Sequence, residues 1–216
     1  MPMRSEVILV HGLWIGSWAM ARLAKNLEAA GYSVRRFAYP TTRQPLAGHA
    51  QALAEFARTT RAAQLHFVSH SLGGLVTLKM LNTVEVTTGR ALPQGRVVLL
   101  GSPLVGSDTA RRSGRVPGSA KLFGQIRSTL EQGYPHLDGR RETGMIAGSK
   151  AVGLGRLVGG AEKPSDGTVA VKETRVERLT DHLTLPVTHT GMLFSAEVAR
   201  QTAHFLETGG FEHAPA

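Results

Sequence analysis

The chain has 216 residues, 42% hydrophobic and 19% charged, which is the balance of one globular domain rather than a disordered or fibrous chain. It has no cysteine, which excludes a disulfide scaffold, an iron–sulfur cluster, a thiolate zinc site and a cysteine nucleophile. Its 25 basic and 16 acidic residues give a formal charge of +9, a surplus that either nucleic acid or a lipid surface would answer.

No apolar run approaches the roughly 18–20 residues of a membrane span. The first apolar run, Val7-Ile8-Leu9-Val10, is too short for a signal-peptide core and meets His11-Gly12 at once, so a cytoplasmic protein is expected. In chain order, strands are predicted at residues 7–10, 33–38, 65–69 and 97–101. All four are read as apolar on both faces, as buried parallel strands are. Two further strands are predicted at 144–147 and 182–186.

Helices alternate with them. Met20, Leu23, Ala24 and Leu27 repeat at helical spacing and Gly31 supplies a stop. Leu46, Ala50, Leu53 and Phe56 form a second stripe, residues 72–81 a third helix, and Phe194, Val198, Thr202 and Phe205 a fourth. This order predicts a single α/β domain over 1–216: a mostly parallel, doubly wound sheet of about six strands, with helices on both faces and little or no separate cap. Residues 104–160 differ in composition. They hold twelve of the 25 glycines and nine basic against four acidic residues, so five of the nine net charges lie there. A glycine-rich basic loop or partial cap is expected, with one helix around 119–132.

The chemistry centres on Val68-Ser69-His70-Ser71-Leu72-Gly73-Gly74. A buried strand ends, a serine follows and a helix begins, with small residues two positions before and after Ser71. A nucleophile elbow needs that spacing, because strand and helix approach closely on either side of a serine held on a strained turn. Ser69 stands where the G-x-S-x-G pattern has its first glycine, a change small enough to be tolerated. The bland alternative is a serine that only caps a helix.

A serine hydroxyl needs a base and an orienting acid. Pro164-Ser165-Asp166-Gly167 places an acid in a glycine-permitted turn, and Val187-Thr188-His189-Thr190-Gly191-Met192 places a histidine between the last strand and the last helix. Asp166 and His189 follow Ser71 in the chain order an elbow fold requires. The other histidines have blander readings. His66 is a packed strand residue, His70 the variable elbow residue, and His182 with Asp181 a surface pair. Asp108 is read as a helix cap. No H-E-x-x-H occurs, and neither a metal nor a cofactor is expected. Two backbone N–H groups should form the oxyanion hole, one from Leu72 and one from Leu13, with Trp14 as the second choice. Trp14 and Met192 are expected to line the substrate pocket, the alternative for each tryptophan being a core aromatic.

Together the strand–His11-Gly12 opening, the Ser69–Gly73 elbow, the acid turn at 164–169 and the histidine turn at 187–193 resemble the α/β-hydrolase superfamily. The likeness is greatest to small bacterial lipases and esterases of the lipase A/esterase A-like group. Leu99-Leu100-Gly101-Ser102-Pro103 is similar to that group's glycine-rich loop, and residues 104–160 match least. The resemblance implies triad roles for Ser71, Asp166 and His189 and oxyanion roles for the N–H groups of Leu13 and Leu72.

The expected activity is hydrolysis of short to medium acyl esters through an acyl-enzyme. Two alternatives stand beside it. His11-Gly12 with Gly16 and Trp18 also resembles the opening of plant methylesterases and hydroxynitrile lyases. A non-catalytic binding module on the same fold is the other. The expected partner is a small-molecule ester, with a weak contact to an anionic lipid surface; nucleic acid is not expected.

Overall fold

The computed structural model describes residues 5–85, 91–113, 119–151 and 162–213. Six strands form one sheet: β1 (Ser5–Val10), β2 (Ser33–Phe37), β3 (Gln64–His70), β4 (Val97–Leu100), β5 (Thr143–Gly148) and β6 (Asp181–Leu185). All pairings are parallel and the order is β2-β1-β3-β4-β5-β6.

Among the described residues the α-helices are α1 (Ala21–Ala29), α2 (Leu46–Ala57), α3 (Leu72–Lys79), α4 (Asp108–Ser113), α5 (Ser119–Phe123), α6 (Arg127–Gln132) and α7 (Ala196–Thr208). Strand side chains alternate between the two faces. Val7, Leu9, Val68 and Ile146 therefore pack with Leu23 and Leu27 of α1 and Val198 and Phe205 of α7. Ile8, Val10, Phe67, Leu99 and Met145 pack with Leu53 of α2, Leu75 of α3 and Leu130 of α6.

The expected stop at Gly31 operates. The N–H of Gly31 (φ 94°) donates to the Glu28 carbonyl (3.0 Å) as α1 closes. The Ser195 hydroxyl caps α7 at the Val198 N–H (3.3 Å), and Gly209 ends that helix in the left-handed conformation.

Several local expectations give way. β2 is an edge strand and not buried on both faces: Arg36 is exposed, and Arg35 reaches Glu6 at 3.1 Å. The helix expected at 119–132 is two short helices joined by a 3-10 turn, Gly124–Ile126. Gly124 has φ 54°, and a Cβ there would lie 2.2 Å from the Thr42 carbonyl oxygen. The third helix is α-helical only to Lys79 and continues as a π-helical turn, Met80–Glu85. Phe194 precedes the Ser195 cap and is half exposed, so it is not part of the α7 stripe. At the start of α4 the capping hydroxyl is that of Ser107, which accepts from the Ala110 N–H (3.3 Å); Asp108 pairs with Arg111 instead. Residues 114–118 and 152–160 of the glycine-rich 104–160 segment lie outside the described residues.

The chain leaves β1 for β2 over one face and returns across β1 to β3 over the other. The loops after β1 and β3 therefore diverge and open a crevice at the carboxyl edge of the sheet, where α/β folds place ligands. His11-Gly12 and Ser71 stand on its two sides.

Candidate active site

Ser71 follows the last residue of β3 and stands at the N-cap position of α3 without a side-chain capping bond, at φ 55° and ψ −123°, a region that residues with a Cβ seldom enter. Its N–H donates to the Leu100 carbonyl (2.9 Å), and its own carbonyl accepts from the Gly74 N–H (3.0 Å). The small residues around it are required by contact. A Cβ on Gly73 would lie 2.5 Å from the Val10 carbonyl oxygen, and one on Gly74 would lie 2.1 Å from Ser102 Oγ. Ser69 is fully buried and fits because its hydroxyl meets Thr77 Oγ1 at 2.8 Å.

Asp166 lies in the turn after β5 and is buried. Its Oδ1 accepts from the N–H groups of Thr168 (2.9 Å) and Val169 (2.7 Å). Its Oδ2 is 2.7 Å from His189 Nδ1, and its carbonyl accepts from the His189 N–H (2.9 Å). Since a carboxylate only accepts, Nδ1 carries the proton and Nε2 has the lone pair.

Glu173 braces this turn. Its buried carboxylate accepts from the Ala170 N–H (2.8 Å) and from the Asp108 N–H (2.6 Å), tying the acid loop to α4. Burial raises its pKa above the ordinary carboxylate value. Gly101, at φ 57°, backs the pair; a Cβ there would lie 3.0 Å from Asp166 Oδ2 and 3.2 Å from His189 Nδ1.

The loop after β1 faces the elbow. A Cβ on Gly12 would lie 3.0 Å from Ser71 Cβ. His11 is held by Tyr39, whose ring stacks on it with centroids 4.5 Å apart and whose hydroxyl donates to the His11 carbonyl (2.8 Å). Leu13 is partly buried against the α2–α3 side of the core, and Leu72 is the first residue of α3. Trp14 has φ 58°, and its N–H donates to Thr41 Oγ1 (3.3 Å).

Neither tryptophan is a core aromatic: Trp14 is 54% exposed and Trp18 is 71% exposed. The Trp14 indole N–H donates to the Leu122 carbonyl (2.9 Å), which latches α5 to the loop after β1. Trp14, Ile15, Tyr39 and residues 40–43 line an open cleft of about 500 Å³. Met192 has no exposed surface and packs in the α1–α7 core.

His182 is half-buried, with Nε2 2.9 Å from Thr174 Oγ1, and is not the surface residue expected. The contacts that sequence reasoning missed are those of His70, Tyr39, Thr41 and Glu173. The Tyr39-Pro40 dipeptide at the end of β2 is the signal that could have pointed to the loop contact. Among the described residues no three histidine, aspartate or glutamate side chains converge as a metal site.

The model of the Alpha/beta hydrolase family matches residues 7–203. No curated protein matches the sequence. Among solved structures, the mature form of Bacillus licheniformis lipase BlEst2 is similar, with a TM-score of 0.75 and 19% identity over 97% of this chain and 93% of that one. Phospholipase PlaB from Legionella pneumophila has a TM-score of 0.69 and 17% identity over 93% of this chain and 57% of that one. The metagenomic carboxyl esterase MGS0156 has a TM-score of 0.67 and 17% identity over 88% of this chain and 65% of that one.

Proposed function

The chain belongs to the alpha/beta hydrolase family, and from that premise we propose that it is a serine hydrolase of carboxylic esters. The observation that carries the reading is the 2.7 Å contact between His189 Nδ1 and Asp166 Oδ2, on the sheet edge where Ser71 occupies its positive-φ turn. Likeness to structures described as a lipase, a phospholipase and a carboxyl esterase supports the ester class.

His189 Nε2 takes the Ser71 proton as Oγ attacks the ester carbonyl, and Asp166 holds the imidazole and the imidazolium that forms. The developing oxyanion is met by the N–H groups of Leu72 and Leu13, each such donor being worth about 3–4 kcal/mol. The engagement of the Trp14 N–H with Thr41 supports Leu13 over Trp14 as the second donor. The tetrahedral intermediate collapses as His189 gives its proton to the leaving alcohol. Water then attacks the acyl-Ser71 ester with His189 again as base, and the acid departs.

Short to medium acyl esters are the substrate class of this reading. The exposed apolar side chains Trp14, Trp18, Val105, Leu122 and Phe194 all lie in segments at the carboxyl edge, which supports a weak contact of that edge with anionic lipid.

Mass spectrometry after fluorophosphonate treatment, run beside a series of p-nitrophenyl esters, tests the reading. One adduct on Ser71 that is lost in His189→Ala, and rates that peak at short or medium chains, are expected. Adducts elsewhere or none would sink the nucleophile assignment, and a peak at C16 or beyond the substrate class. An acyl-enzyme trapped with a slow ester separates hydrolysis from a lyase reaction on the same residues.

A further inference from the structure

His70 lies between Ser69 and the nucleophile position and is buried. The mechanism above gives it no task, yet its ring lies on the base: the centroids of His70 and His189 are 4.6 Å apart at an interplanar angle of 46°. Its Nε2 is 3.0 Å from the His189 carbonyl oxygen. A carbonyl only accepts, so Nε2 carries the hydrogen and Nδ1 is a bare lone pair. Nδ1 is buried with no partner and faces the loop after β1, where a Cβ on Gly12 would lie 2.9 Å from it. An unpaired buried acceptor costs free energy, so the ring is not there for its own hydrogen bonding. Burial, then the neighbouring His189, push its pKa down to about 3, and the ring stays neutral while a serine hydrolase works.

The main chain of His189 is thereby gripped on both sides. Its N–H donates to the Asp166 carbonyl (2.9 Å) and its carbonyl accepts from His70. The acid loop sets one end of the peptide and the elbow sets the other. Because His70 is covalently joined to Ser71, the second grip registers base against nucleophile over one residue.

We propose that His70 is a positioning residue for the base: its Nε2–H holds the His189 carbonyl, so that the elbow itself sets the distance between Ser71 and His189. The proposal rests on the triad reading above.

Three variants separate the hydrogen bond from packing. The amide nitrogen of His70→Gln lies as many bonds from Cβ as Nε2 does. That of His70→Asn lies where Nδ1 is, and His70→Leu has no donor. His70→Gln should keep kcat near wild type for p-nitrophenyl butyrate. His70→Asn and His70→Leu should lose about 10- to 100-fold in kcat with little change in KM, the scale expected for a misplaced reacting group.

A second readout needs no turnover. The far-downfield proton resonance of the His189–Asp166 hydrogen bond should persist in His70→Gln and broaden or vanish in His70→Asn. Equal behaviour of the Gln and Asn variants in both readouts, or a loss confined to KM, would overturn the proposal. If His70→Leu does not fold, the Gln and Asn pair decides. If wild type cleaves no ester and Ser71 takes no fluorophosphonate, the hydrolase reading fails, and the proton resonance still decides the role of His70.

Discussion

Ser71 stores strain. A φ of 55° with ψ −123° suits glycine, and a residue with a Cβ held there costs on the order of 1–3 kcal/mol. Ser71→Gly should therefore abolish ester hydrolysis while raising stability by about 1 kcal/mol, or roughly 2–4 °C in Tm for a chain of this size. Thermal unfolding checks it; a lower Tm would mean that the turn is not strained. The spacing of Ser69, Ser71 and Gly73 made this turn legible, because the 2.5 Å approach of a Gly73 Cβ to the Val10 carbonyl leaves room only for a hydrogen. Gly101 was legible only as part of a glycine-rich loop. Its closeness to Asp166 Oδ2 and His189 Nδ1 comes from loops after β5 and β6 folding over the end of β4, and no pattern local to residue 101 encodes it.

Among the strands, β3 and β6 carry histidines that the fold keeps neutral. His66 is buried on β3, with Nδ1 accepting from the Arg96 N–H (3.0 Å), and its pKa is lowered to about 4, chiefly by burial and then by Arg96 and Arg141. His182 on β6 is likewise lowered to about 4 by burial. Unfolded, each binds a proton near its ordinary value of about 6.5. Between those values the unfolded chain holds more protons, so stability is full above about pH 6.5 and falls as pH drops toward 4, by up to about 1.4 kcal/mol per pH unit for the buried His66 and by less for the half-buried His182, which solvent screens. Urea unfolding at pH 7, 5.5 and 4.5 should show this loss. His66→Asn, which keeps an acceptor near the position of Nδ1, should make it shallower; an unchanged slope would count against the His66 contribution. The β6 environment was less readable than the β1 core because β6 is an edge strand with mixed burial. The break between α5 and α6 was unreadable for a related reason. A helical apolar repeat through 119–132 fits one helix, but docking of Gly124 against Thr42 requires φ 54°, and the contact, not the repeat, decides the backbone.

At the scale of the whole molecule, the large apolar side chains that remain exposed among the described residues, Trp14, Trp18, Val105, Leu122 and Phe194, follow β1, β4 and β6 and so share the carboxyl edge. Arg22, Arg43, Lys121 and Lys150 are exposed as well, on a chain of formal charge +9. The two tryptophans of the chain therefore both report on this edge. Their emission should shift to the blue with anionic vesicles, less so with zwitterionic ones, and revert in high salt, which screens surface charge. Trp18→Ser should weaken the shift without lowering kcat on a soluble ester. No shift with either vesicle would remove the lipid reading.

The sequence by itself determined the six strands, the main helices, the elbow and the two turns that carry Asp166 and His189. Each of these is written in a local pattern: a short apolar run for a strand, the helical repeat, or glycine where the chain must turn. Tertiary structure alone decided which side chains those turns meet. His70 and His189 are 119 residues apart in sequence, the Trp14 indole meets the Leu122 carbonyl 108 residues on, and Met192 is drawn wholly into the core. Such contacts depend on the angles at which loops leave a twisted parallel sheet, a property of all six strands together that no single stretch of sequence carries.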